Sequence, residues 1–375
     1  MMQRRKALKT LGGLSVVIAS PAILADSRAR ILLGQSAAMT GPAAQLGIQF
    51  HAGAKVLFDR VNAAGGINGK AIELKTLDDG YEPDRCAANT KKLIEEDVFS
   101  LFGYIGTPTS VVALPLATNA KIPFIAPFTG AQALREPFNR YAFHVRASYY
   151  DETARIVNQL YAVGMKNIAV FYQNDAYGQA GLAGVNRALA AVNSKPVALA
   201  TVERNSVDVA AAVRTIVAAK PEAVVQISAY KSCAAYIREA RKAGSGAQFF
   251  NVSFVGTAAL ANELGPDARG VVVSQVMPFP FAAVTPLSAE FIKAASAGKV
   301  DLNYSSMEGY VAAKVFVEAL RRAGNNPSRE ALITGMESLR ELNLGGFFVD
   351  FSPTKHAGSS YVDLTILTSD GRVRH

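Results

Sequence analysis

Four histidines, two cysteines and the adjacent carboxylates Asp78 and Asp79 are the residues of this chain that would count first in catalysis or metal binding. His51, His144, His356 and His375 stand far apart, and none belongs to an HExxH pair of the kind that holds zinc beside a general base. Cys86 and Cys233 are separated far beyond any CxxC spacing, with no Cys/His cluster around either, so no metal is expected and both thiols are expected free and buried. No GxSxG nucleophile elbow and no GxxxxGK[ST] phosphate loop occurs. Gly244-Ser245-Gly246 opens like a dinucleotide loop, but Phe249 stands where a third glycine must admit close helix packing. Asp78 and Asp79 end a strand-like run, where successive side chains point to opposite faces. Carboxylates that cannot converge on one substrate suit a loop or helix cap better than acid–base work. Neither catalysis nor a cofactor is expected.

Hydroxyl and aromatic groups offer binding chemistry instead. Gly106-Thr107-Pro108-Thr109-Ser110 follows a short apolar run and opens a helical segment, so its hydroxyls are placed to cap that helix and its N–H groups to receive a carboxylate. Tyrosines at loop positions call for a polar or ligand contact for their hydroxyl.

The elements that must position these groups alternate. From Arg30 onward, short β-branched runs at 31–35, 72–77, 100–104, 124–126, 167–172, 197–202, 223–228, 249–253 and 271–276 are separated by helical segments at 45–62, 84–96, 109–119, 151–163, 177–191, 207–218 and 232–243. That is the sign of parallel βα units, and it recurs before and after about residue 148. Helices over 286–297, 305–323 and 328–338 then precede strands at 346–351 and 361–368. At 375 residues the chain is long enough for two packed bodies.

The net charge of +9 includes Arg4, Arg5, Lys6 and Lys9, and the remaining basic residues are interspersed with acids, as in Arg238, Glu239, Arg241 and Lys242. A nucleic-acid groove would need a clustered basic stripe, so no nucleic-acid partner is expected. Residues 1–25 combine a basic start, the apolar run Leu11–Ile18, Pro21 and a small residue at Ala25, the anatomy of an export signal. Gln3-Arg4-Arg5-Lys6 resembles the twin-arginine export motif, with Ala7 where that motif has Phe. A periplasmic location follows as an expectation.

Several stretches together resemble the periplasmic solute-binding proteins of ABC importers, of the leucine/isoleucine/valine-binding type. They are 39–47 (MTGPAAQLG), 61–69 (VNAAGGING), Asp78-Asp79, 123–127 (PFIAP), 143–146 (FHVR), Tyr177-Gly178 and 238–244 (REARKAG). The resemblance implies an α/β fold of two Rossmann-like lobes joined by three crossovers near Ala147, Val276 and Gly346. Residues 29–147 plus 277–345 would form one lobe, and 148–276 plus 346–375 the other, closing by a hinge on a ligand between them. It implies ligand contacts from Leu46, Thr107, Pro108, Phe128, Thr129, Tyr149, Tyr150, Tyr177, Ser228, Ser253 and Phe254. Leu46 stands where the amino-acid receptors carry an aromatic, and Ser253 where their acid meets the ligand's ammonium. A buried ammonium without a counter-charge is costly, so the solute need not be an amino acid; a small or aromatic carboxylate or an amide fits as well. The implied partners are an ABC permease and ATPase, with the receptor itself a monomer. A sensor role toward a signalling receptor is the alternative, and an exported hydrolase a remoter one.

Overall fold

The structure, a computed structural model, describes residues 30–374; the expected export signal and its twin-arginine-like start lie outside the described residues. The first part of the chain alternates β1 (Arg30–Ala37), α1 (Ala44–Ala63), β2 (Ala71–Asp78), α2 (Pro83–Glu95), β3 (Ser100–Phe102), α3 (Thr107–Asn119), β4 (Phe124–Ile125) and β5 (Ala142–Phe143). These strands form a five-stranded sheet in the order β2-β1-β3-β4-β5, with parallel pairing throughout.

The second part runs α4 (Tyr149–Ala162), β6 (Ile168–Gln173), α5 (Ala176–Ala190), β7 (Ala198–Val202), α6 (Ala210–Ala218), β8 (Ala223–Ile227), α7 (Tyr230–Lys242), β9 (Gln248–Asn251), α8 (Thr257–Leu264) and β10 (Val272–Gln275). The chain then turns back to the first sheet with α9 (Pro286–Gly298), α10 (Tyr304–Arg322) and α11 (Arg329–Glu337). A small hairpin of β11 (Leu342–Asn343) and β12 (Phe348–Val349) follows, and then β13 (Asp363–Leu367) and β14 (Val373–Arg374) return to the second sheet. That sheet has seven strands, β14-β13-β10-β9-β8-β6-β7, antiparallel only where β13 meets its two neighbours. The strand after Gly346 is shorter than the expected 346–351, and α8 lies where no helix was expected.

Each lobe is closed by apolar packing of its helices. In the first, Phe58 and Phe102 meet Phe316 of α10 at ring separations of 6.1 and 6.0 Å. There α1 and α10 approach backbone to backbone: a Cβ on Gly53 would fall 1.8 Å from the Ser306 carbonyl oxygen, and one on Gly309 would fall 2.0 Å from that of Phe50. Overpacking of this kind costs about 1–3 kcal/mol. Gly53→Ala is therefore expected to lower the urea midpoint by about 2 kcal/mol of stability; an unchanged midpoint would show that the two helices can separate freely.

The passages between sheets follow the local packing. Ser148 caps α4 reciprocally with Asp151, so a helix of the second lobe starts directly after Ala147. Residues 351–358, by contrast, stay on the first sheet. His144 bridges Ala357 in parallel, His356 stacks on Phe143 at 3.7 Å, and Phe351 meets the same ring edge-on. We therefore place the third crossing between Gly358 and Asp363, later than the expected Gly346, because this aromatic stack holds the chain to the first lobe.

Candidate functional site

In parallel α/β sheets the loops that follow the strands gather at one edge, where ligands bind. The loops after β2, β3 and β4 carry Asp78–Tyr81, Gly103–Gly106 and Ala126–Thr129, and those after β6, β8 and β9 carry Asn174–Asp175, Ser228–Ala229 and Val252–Phe254. These two sets of loops meet face to face.

Asp78 and Asp79 shape the first loop. Asp78 accepts hydrogen bonds from the Met39 and Gly80 N–H groups at 2.9 Å and from the Thr40 hydroxyl at 2.6 Å. Although burial opposes it, this cradle holds the carboxyl at about 2. Asp79, buried, accepts from the Ser36 hydroxyl at 2.7 Å and the Tyr81 N–H at 2.8 Å, and burial pushes it up to about 6. The pair is the expected loop anchor, and it delivers Tyr81 into the junction with φ +66°.

Thr107 opens α3 with its hydroxyl 2.6 Å from that of Thr129, which in turn lies 3.4 Å from the Tyr149 hydroxyl on the other lobe. The helix has no side-chain cap: Gly106 occupies the cap position, and Thr109 donates back to the Gly106 carbonyl instead. This departs from the expected hydroxyl cap. Its reason is space, since a Cβ on Gly106, at φ +95°, would fall 2.2 Å from the Tyr81 ring.

Phe254 lies at the centre of an aromatic group. Its ring is 4.6 Å from Tyr177, 5.7 Å from Phe128 and 5.8 Å from Tyr81, while Tyr149 lies 5.4 Å from Tyr177. Leu46 is buried beside Gly256, where a Cβ would come within 2.4 Å of its Cδ2. Pro108 is buried in the first turn of α3. Ser228 opens the loop after β8 with its hydroxyl buried and unpartnered within the protein, as is the Tyr177 hydroxyl. Tyr150 is not in this group: half-buried, it lies under the Arg187 guanidinium at 4.9 Å, on the α5 side of α4. Adjacent positions on a helix point about 100° apart, so Tyr149 and Tyr150 cannot both face the junction.

Charge enters through residues outside the expected set. The Arg146 guanidinium, 1% exposed, stands 4.6 Å over the Phe128 ring. Its Nε is 3.5 Å from a Glu308 carboxylate oxygen on α10 and its Nη2 is 3.9 Å from one of Glu152 on α4. It also donates to the Ser253 hydroxyl. Glu152 accepts from the Ser253 N–H at 2.7 Å, the Ser253 hydroxyl at 3.0 Å and the Ser274 hydroxyl at 2.6 Å. Burial raises both carboxyls, Glu308 to about 7 and Glu152 against the pull of Arg146, Ser274 and Ser253. Ser253 thus carries no charge itself but lies between an arginine and a glutamate. Arg146, Glu152, Glu308 and Tyr81 were not foreseen; the only signal was Arg146 and Asp78-Asp79 in stretches already singled out. A separate cavity of about 770 Å³ lies among residues 132–151 and 346–361 and includes none of Thr107, Thr129 or Tyr177.

Cys86 and Cys233 are both free and buried, as expected. Burial raises each thiol well above its usual range, which keeps it inert.

A family model described as periplasmic binding protein matches residues 31–372. The chain is 30% identical over 277 residues, 72% of each chain, to an amino acid binding protein of Pseudomonas aeruginosa. Its structure is similar, with a TM-score of 0.88 and 34% identity over 95% of this chain and 97% of the other, to a possible leucine/isoleucine/valine-binding protein from Rhodopirellula baltica. It is also similar, with a TM-score of 0.86 and 33% identity over 92% and 99%, to a substrate-binding periplasmic protein from Ralstonia solanacearum. Two α/β lobes facing each other across a buried aromatic and hydroxyl cluster, together with these matches, make the chain a member of the periplasmic binding protein family, of the leucine/isoleucine/valine-binding type: a periplasmic solute-binding protein and not an enzyme.

Proposed function

We propose that the chain is the solute receptor of an ABC importer, delivering to a permease and ATPase a small solute enclosed between the lobes by hinge closure. The solute would sit among Thr107, Phe128, Thr129, Tyr177, Ser253 and Phe254, with its acidic or amide group toward the first turn of α3. The observation that carries this reading is the Tyr177 hydroxyl: it is fully buried at the junction and has no partner within the protein. Leaving a buried donor unpaired costs about 1–3 kcal/mol, which a solute offering an acceptor would recover.

Both carboxylates that the lobes bring near Ser253 already face Arg146, and Glu152 is taken up by three further donors. This supports widening the solute class beyond branched-chain amino acids to small or aromatic carboxylates and amides. A thermal-shift screen over those classes tests it, because a ligand at about 100 times its Kd adds about 2.7 kcal/mol of stability. For whichever solute shifts the wild type, Tyr177→Phe and Thr107→Val should each weaken binding about tenfold, the worth of one hydrogen bond of about 1.4 kcal/mol. Undiminished affinity in both variants would remove the solute from this junction.

A further inference from the structure

Away from the aromatic cluster, a second set of contacts joins the lobes. Glu82, just after the Asp78–Tyr81 loop of the first lobe, accepts from Arg204 Nη2 at 2.7 Å and from Asn205 Nδ2 at 2.7 Å, both in the loop that follows β7 of the second lobe. Asn205 also donates to the Gly80 carbonyl at 3.2 Å. Arg204 Nη1 reaches Asp175 at 3.4 Å. Asp175 in turn caps α5 by accepting from the Tyr177 N–H at 2.9 Å, and takes a hydrogen bond from Gln173, which lies 3.3 Å from the Tyr81 hydroxyl. The side chains at the tie are partly exposed, Arg204 by 24% and Glu82 by 41%, so it stands at the rim rather than inside the junction.

We propose that Glu82, Arg204 and Asn205 form a strap that sets how long the lobes stay closed, and that they are positioning residues acting on solute release without touching the solute. The geometry supports this in two ways. The three bonds accepted by Glu82 and the Gly80 carbonyl break when the lobes part, because their donors and acceptors sit on opposite lobes. Gln173, which donates to Asp175 within the second lobe, also reaches the Tyr81 hydroxyl of the first, so the network beside Arg204 loses that contact too when the lobes part. A carboxylate holding two donors at once, one of them charged, is stronger than an isolated surface pair. Its exposure nevertheless makes it sensitive to salt.

The test reads the lobes directly and needs no solute, so it stands apart from the reading of the solute site. Spin labels on Lys91→Cys in α2 and Lys220→Cys after α6 report the interlobe distance, while Cys86 and Cys233 stay buried and unlabelled. Glu82→Gln is expected to raise the ratio of open to closed molecules about 5–10-fold, the effect of weakening a partly exposed charged tie. An ionic strength of about 1 M, where screening extends over about 3 Å, should open the wild type in the same direction and leave Glu82→Gln little changed. Glu82→Arg combined with Arg204→Glu should close the lobes more than either single reversal. A wild type that is open throughout, or equal distance distributions in wild type and Glu82→Gln, would overturn the strap. An unchanged melting temperature in Glu82→Gln shows that its effect is on lobe position and not on folding.

Discussion

Arg146→Met should lower the stability of the protein by about 3–5 kcal/mol, the range for breaking a buried charge pair by removing one partner. Arg146 is the cation facing two buried acids, Glu152 from the second lobe and Glu308 from the first, and both are at most 4% exposed. Methionine fills much of the arginine's volume, so the loss measures uncompensated charge more than a cavity. A melting temperature lower by about 10 °C would be the visible result, at about 2–4 °C per kcal/mol for a chain of this size. The defect should shrink as pH falls from 8 to 5, since a protonated acid needs no cation. A loss below about 1 kcal/mol at pH 8 would mean that the two acids are neutral there and that the cluster is held by hydrogen bonds alone.

Glu308→Gln tests the same cluster with the opposite sign. Folded Glu308 keeps its proton up to about pH 7, whereas its ordinary value is 4.5. Between those limits the folded protein holds more protons than the unfolded chain, so stability falls as pH rises from 4.5 to 7 and stays low above it. The full difference is about 3 kcal/mol at 1.36 kcal/mol per pH unit. Glutamine removes the titration while keeping the shape. Urea unfolding of Glu308→Gln should therefore lose most of the decline that the wild type shows across this window, and at pH 8 the variant should be the more stable of the two. Asp79, raised from 3.8 to about 6, leaves a residual decline at lower pH. Identical slopes in variant and wild type would show that Glu308 ionises freely in the fold.

Much of the architecture was written in local patterns. The runs at 31–35, 72–77 and 223–228 are β-branched and bounded by turns, and they form β1, β2 and β8 within one to two residues. Local pattern fails where an element is short or depends on distant partners. Helix α8 has eight residues after Gly256 and too few turns to show a period. The segment 351–358 is held by Phe143 and His144, some two hundred positions earlier, and no neighbour in sequence announces that.

The site divides in the same way. Thr107, Phe128, Thr129, Tyr177 and Phe254 follow strands at the sheet edges, so knowing the strands places them. Tyr150 falls outside the cluster, and adjacency to Tyr149 conceals that because successive helix positions turn apart. The charged cluster was invisible because Arg146, Glu152 and Glu308 come from a crossing and two helices, one of them in the last quarter of the chain. Only closure of the fold brings them within 4 Å.

The close seating of α1 on α10 has a consequence for how the polypeptide comes to maturity. Phe50 and Phe58 of α1 are covered on one side by Phe102 and Phe128, but the face that meets α10 stays open until Tyr304–Arg322 has been made, some 240 positions downstream. The amino-terminal half cannot complete its own interior while synthesis is under way, and contacts this remote in sequence form slowly.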